Sequence, residues 1–250
     1  MHQTALDHKI RIIAFDRPGL GKSPFQKLTN VHSEAGLVEA LANRLQLKKF
    51  SIIGLSGGGA TALATAFHMP KRLHFCASMV GWAPVHDNPQ LHQHLAPADR
   101  LFLRLARYMP WLFRFGCAYL GHHLQRDKES ILKLIAGSLS ATDKEALNTA
   151  EFSDFFLEDL RLAFAQGAKG PAQDAYLRYQ PWGFELSDIA CPVHLYAAEQ
   201  DKFVPLAFVQ TLHTQIPESK LYIFEQAGHL TAIQHFDQVA KDLSAMHARK

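Results

Sequence analysis

Cysteine is scarce in this 250-residue chain, and Cys76, Cys117 and Cys191 are an odd number with no metal-ligand spacing. That usage excludes a disulfide framework and fits buried thiols in a reducing compartment. Met1 to Ile10 lack an apolar core of signal-peptide length, so the cytoplasm is the expected location. Net charge is only +3, without a dense lysine or arginine run, which argues against a nucleic-acid partner. An uninterrupted membrane span is also missing. Leu101 to Leu120 is apolar and aromatic, but Arg104, Arg107, Arg114 and Pro110 break it, so stable membrane insertion is not expected. Histidine is abundant, with fifteen residues, yet none forms His-x-x-x-His with an attendant Glu. Pairs such as His92/His94 and His122/His123 read as surface or loop residues, and neither a metal nor an organic cofactor is expected.

What is present begins with Phe50 to Ala60, an apolar run leading into Gly54-Leu55-Ser56-Gly57-Gly58 and then a small-residue helix from Ala60 to Met69. Gly-x-Ser-x-Gly between a strand and a helix presents a serine at the apex of a strained turn, so Gly54 and Gly58 are expected to be small for steric reasons. The helix aims its N–H groups and dipole at any negative charge that develops on Ser56. Two other motifs compete for nearby glycines. Gly57-Gly58-Gly59-Ala60-Thr61-Ala62 fits a dinucleotide fingerprint, but the next strand, Phe75 to Trp82, lacks the ribose-binding carboxylate. Asp16 to Ser23 fails as a Walker A loop because residue 16 is not glycine and Pro18 and Pro24 remove N–H donors.

Ile10 to Phe15, Phe50 to Ile53, Phe75 to Val80, Val193 to Ala197 and Leu221 to Phe224 read as short apolar strands bounded by turn residues. Helical patterns, such as Ser33 to Leu45, fall between most of them. This predicts an α/β fold with a doubly wound, mostly parallel sheet. About 110 residues of helical pattern separate Val80 from Val193, too many for a plain crossover. The expected division is a core of residues 1–81 and 186–250 with an inserted helical cap over 82–185. The aromatic residues of the cap fit a lid over an apolar pocket, ordinary packing, or weak attachment to a membrane surface.

A serine hydroxyl needs an imidazole as base and a carboxylate to orient it. In sheets of this class the chain order is Ser, then Asp or Glu, then His, each in a loop beyond a strand. Asp201 follows the strand at Val193 to Ala197, and His229 follows that at Leu221 to Phe224. Glu199 and Glu225 lie close to the strand ends, and His235 sits about two helical turns past His229, so all three are weaker candidates.

These segments resemble the α/β-hydrolase superfamily, in particular its capped members. The similarity rests on Asp16-Arg17-Pro18-Gly19-Leu20-Gly21-Lys22-Ser23, the elbow Gly54 to Gly59, Pro181 to Leu186, Ile189 to Val193, Asp201 with Val204-Pro205, and Ala227-Gly228-His229. It implies a Ser56/His229/Asp201 triad, with the N–H of Gly57 as one oxyanion donor. It also implies an N-terminal His-Gly-x-Pro loop that supplies the second donor, and this sequence contains none. The family's first three strands are likewise not recognisable, which would leave the edges of Ile10 to Phe15 and Phe50 to Ile53 unpaired. Losing one oxyanion donor costs about 3 to 4 kcal/mol of transition-state stabilisation. Three accounts follow: an incomplete copy or mis-started gene model, which is preferred; a strand at Ile10 that slides over to pair with Phe50; or a non-catalytic relative.

The expected function is a serine hydrolase acting on a small, largely apolar ester-, thioester- or amide-like substrate through an acyl-enzyme. The alternative is an impaired or non-catalytic relative that binds a ligand. The sequence leaves the substrate's identity and the oligomeric state open.

Overall fold

A computed structural model describes residues 1–124, 135, 137 and 139–248. Its centre is a four-stranded sheet in the order β1 (Phe50–Leu55), β2 (Leu73–Met79), β3 (Val193–Ala198) and β4 (Ser219–Phe224), with every neighbouring pair parallel. Residues of β2 and β3 are almost all buried, as expected of central strands covered on both faces.

Side-chain alternation sorts the two faces. Leu73 and Cys76 of β2 and Val193, Leu195 and Ala197 of β3 share one core with α3 (Gly57–His68) and with Phe208, Val209 and Leu212 of Leu206–Gln215. Phe75, Ala77, Met79, Tyr196 and Ala198 turn the other way, onto Phe236, Val239, Ala240 and Leu243 at the C-terminal helix Phe236–Ala248. Helices α1 (His2–Asp7) and α2 (His32–Arg44) precede β1. Between β2 and β3 lie α4 (Pro97–Tyr108), α5 (Pro110–Leu124), α6 (Ala141–Leu147), α7 (Ala150–Ala163) and α8 (Lys169–Arg178). Helices α9 (Leu206–Gln215) and α10 (Phe236–Ala248) complete the chain. Cys76, Cys117 and Cys191 are all buried thiols.

One expectation fails. Ile10 to Phe15 form no strand, and no pairing with Phe50 occurs; β1 bonds to β2 alone and is an edge of the sheet. Ile12, Ile13 and Phe15 are exposed, although Ile10 packs against the face covered by α10. Their β-branched composition favours extension, but a strand also needs a partner edge for its N–H and C=O groups, and these residues bond to none.

The turn that follows is instead tied to α8. Arg17 donates from Nε and Nη2 to Asp174 at 2.6 and 2.9 Å. Gly19, at φ +81°, lies so close that a Cβ on it would come within 2.8 Å of the Gly170 Cα. Only glycine tolerates both the positive φ and the approach.

Candidate active site

Ser56 stands between the end of β1 and the first turn of α3, at φ 53° and ψ −122°. A non-glycine residue there is strained, and the surrounding packing must hold it. The Ser56 N–H donates to the Met79 carbonyl at 2.9 Å, and its carbonyl accepts from Gly59 at 2.9 Å and Trp82 at 3.3 Å. A Cβ on Gly54 would collide with the Gly58 carbonyl, and one on Gly59 with the Ser78 hydroxyl. At Gly58 the nearest atom to such a Cβ would be Arg17 Nη1 at 3.6 Å, an ordinary contact. The tight positions of the elbow are thus Gly54 and Gly59. Gly58 contributes its carbonyl's closeness to Gly54 rather than a side-chain limit of its own.

His229 bridges the other two groups. Its Nε2 lies 2.9 Å from Ser56 Oγ, and its Nδ1 lies 2.7 Å from Asp201 Oδ2. With the carboxylate at Nδ1, the proton belongs on that nitrogen, leaving Nε2 as the acceptor for the serine hydroxyl. Asp201 is fixed in turn, because its Oδ1 accepts the N–H groups of Phe203 and Val204 at 2.8 Å each and its side chain is fully buried. The Phe203 ring packs beside the imidazole with centroids 5.2 Å apart.

The weaker candidates go elsewhere. Glu199 accepts from the N–H of Gln226 at 3.4 Å, Glu225 is exposed, and His235 stacks on Phe224 with centroids 4.2 Å apart. Among the described residues no cluster of His, Cys, Asp or Glu could hold a metal, and no helix is long and apolar enough to cross a membrane. A cavity of about 340 Å³ beside His194, Lys220 and Met246 lies at the beginnings of β3 and β4, the opposite end of the sheet from Ser56.

Two features of the site were invisible from motif and order. The first is Asp143 of α6, which is completely buried and accepts the N–H groups of His229, Leu230 and Thr231 at 3.1, 2.9 and 3.0 Å. Asp143 and Ser140 also cap each other across the start of α6, and a Cβ on Gly228 would strike both side chains. The Ser-x-x-Asp spacing does signal a helix cap, but nothing in it points to the His229 loop.

The second is a charged network beside the elbow. Arg178 Nη2 donates to both carboxylate oxygens of buried Glu34 at 3.0 and 3.1 Å, Thr61 donates to the same carboxylate, and Arg178 also approaches Asp174 at 3.4 Å. The Arg178 Nε lies 3.4 Å from where a Cβ on Gly57 would sit. Burial alone would raise the Asp174 carboxyl, but Arg17 and Arg178 outweigh it and hold the group below its ordinary value. The Gly57 N–H stands at the first position of α3, where a helix N–H has no intrahelical acceptor.

The chain is similar to several hydrolases. It is 23% identical over 232 residues to a 2-hydroxy-6-oxononadienedioate/2-hydroxy-6-oxononatrienedioate hydrolase of Cupriavidus pinatubonensis, covering 90% of this chain and 72% of that protein. It is 24% identical over 249 residues to the uncharacterized hydrolase YugF of Bacillus subtilis, covering 96% and 81%. Among solved structures, the meta-cleavage product hydrolase of Pseudomonas fluorescens IP01 superposes with a TM-score of 0.66 at 18% identity, covering 99% of this chain and 84% of that one. The α/β hydrolase MGS-M2 from a deep-sea metagenome library gives 0.69 at 13% identity, covering 94% and 78%. The sequence pattern of the alpha/beta hydrolase fold matches residues 3–236, and the chain belongs to that family.

Proposed function

We propose that this protein is a serine hydrolase in which Ser56 is the nucleophile, His229 the general base and acid, and Asp201 the group that orients His229. The observation that carries this reading is the unbroken hydrogen-bonded line from Asp201 through His229 to Ser56. In the first half-reaction Ser56 Oγ bonds to the carbonyl carbon of the substrate while its proton passes to His229 Nε2. The carbonyl electrons move onto oxygen, where the Gly57 N–H and the start of α3 stabilise the charge. Collapse expels the leaving group, which takes the proton from His229. Water then attacks the acyl-enzyme by the same path, and the acid and free Ser56 are regenerated.

The substrate class that fits is a small, largely apolar ester, thioester or amide, held between a core of residues 1–81 and 186–250 and a helical cap of residues 82–185. A hydrolytic role also agrees with the names of the relatives. A second reading, a ligand-binding protein without turnover, draws on the oxyanion donors, of which the Gly57 N–H is the one identified among the described residues.

Treatment of the purified chain with a fluorophosphonate probe tests the proposal. Labelling that disappears in Ser56→Ala supports the hydrolase. A folded protein that stays unlabelled favours the binding reading.

A further inference from the structure

Helices α4 and α5 bury one face each and leave the other uncovered. Leu103, Ala106, Phe113 and Cys117 point into the main core. On the outer side, Tyr108, Trp111, Phe115 and Tyr119 are 71, 66, 65 and 61% exposed. Trp111, Phe115 and Tyr119 follow one another at four-residue spacing, so they form a single ridge along α5. Large aromatic side chains gain nothing from solvent, and several in one row mark a surface that meets something apolar.

A cavity of about 220 Å³ on α4 is lined by His92, Arg100, Leu103, Arg104, Arg107 and Tyr108. The three arginines and Arg114 are exposed. Among the described residues no carboxylate forms an ion pair with any of them. Asp99, the acid next in sequence, is turned away and accepts from the Tyr179 hydroxyl at 2.7 Å. Arg107 rests over the Tyr108 ring at 5.4 Å, which keeps a cation and an aromatic face together at the rim. Among the described residues the cavity therefore offers several guanidinium donors and no ion-paired carboxylate to an oxyanion such as a phosphate or carboxylate.

We propose that the outer face of α4 and α5 docks on an anionic phospholipid surface, with lipid headgroups taken by the arginine-lined cavity and the Trp111–Phe115–Tyr119 ridge set into the interfacial zone. Aromatic residues favour that zone because their rings are apolar and their polar edges stay hydrated. Clustered arginines are attracted to the negative leaflet in the same place. A second copy of the chain is a poorer occupant: a two-fold contact would press this patch against itself and bring its arginines together. A nucleic acid is poorer too, since the arginines line a compact cavity of about 220 Å³ rather than a long groove that could track a strand.

Flotation of the 250-residue chain with phosphatidylcholine vesicles, with and without phosphatidylserine, tests the proposal. Binding is expected only to the phosphatidylserine vesicles, with a blue shift of tryptophan emission and loss of binding at high salt. The double variant Arg104→Glu/Arg107→Glu should weaken that binding by about ten-fold or more. Trp111→Ser/Phe115→Ser should abolish the blue shift while its circular dichroism stays unchanged. Equal binding to neutral vesicles, or no flotation at all, overturns the proposal. So does binding of inorganic phosphate or single-stranded DNA without vesicle binding, or a dimer in light scattering that these substitutions dissolve.

Discussion

Asp143 and His229 lie 86 residues apart in sequence, yet the Asp143 carboxylate accepts the backbone N–H of His229 at 3.1 Å. Because the same carboxylate takes the next two N–H groups, one buried side chain of α6 fixes the whole turn that presents the imidazole to Ser56. His229 is thus placed from two sides, by Asp201 at its ring and by Asp143 at its backbone.

Asp143→Ala should strand three N–H groups in a buried setting, at a cost of roughly 3 kcal/mol or more. Turnover per labelled serine should fall by about ten-fold or more even well below the melting temperature, because a displaced base loses its near-attack geometry. Thermal unfolding and kinetics normalised by phosphonate titration measure the two effects. A lower melting point with unchanged turnover would limit Asp143 to a structural role.

Ser56→Gly and Ser56→Ala both remove the hydroxyl and its bond to His229, but only glycine relieves the positive φ at position 56. The glycine variant is expected to be the more stable of the two by about 1 kcal/mol. Urea denaturation of the pair makes the comparison, and equal stabilities would mean that the elbow is not strained.

Asp201→Asn keeps an oxygen for the N–H groups of Phe203 and Val204 but turns an NH₂ toward His229 Nδ1. The imidazole must then accept at Nδ1 and carry its proton at Nε2, where it cannot take one from Ser56. Hydrolysis of an activated ester should drop by about ten-thousand-fold with the fold retained. A loss smaller than ten-fold would argue against the assigned orientation.

Asp174 has its carboxyl held below the ordinary value of 3.8, as Arg17 and Arg178 overcome the effect of burial. A depressed folded-state value means that the unfolded chain binds the proton more readily. The stabilisation is therefore complete above the ordinary carboxyl value and disappears as pH falls through the lower, folded one. Urea midpoints measured against pH should show wild type above Asp174→Asn near neutrality, with the gap closing below 3.8. A gap that stays constant would remove the link between Asp174 and acid stability.

Much of the fold was legible because its signals are local. β2 and β3 are short apolar runs buried on both faces, and the turn chemistry at Ser56 sits in eleven consecutive residues of strand, elbow and helix. Asp201 and His229 were found by position after strands, and the structure brings both to Ser56. Ile10 to Phe15 have the composition of a strand but join no sheet, because composition does not specify a bonded partner edge. The small size required at Gly59 also escaped notice, since the Ser78 side chain that enforces it comes from the next strand.

The sequence by itself determined the alternating α/β order, the serine turn and the positions of Asp201 and His229 after their strands, because each depends on spacing along one strand, turn or helix. Tertiary structure decided which groups meet: the anchoring of the His229 loop by Asp143, and the joining of Arg178 to Glu34 and of Arg17 to Asp174 beside the elbow. These contacts span 86 to 157 residues. They arise when separate elements pack and their buried charges must find partners, a requirement that no local pattern encodes.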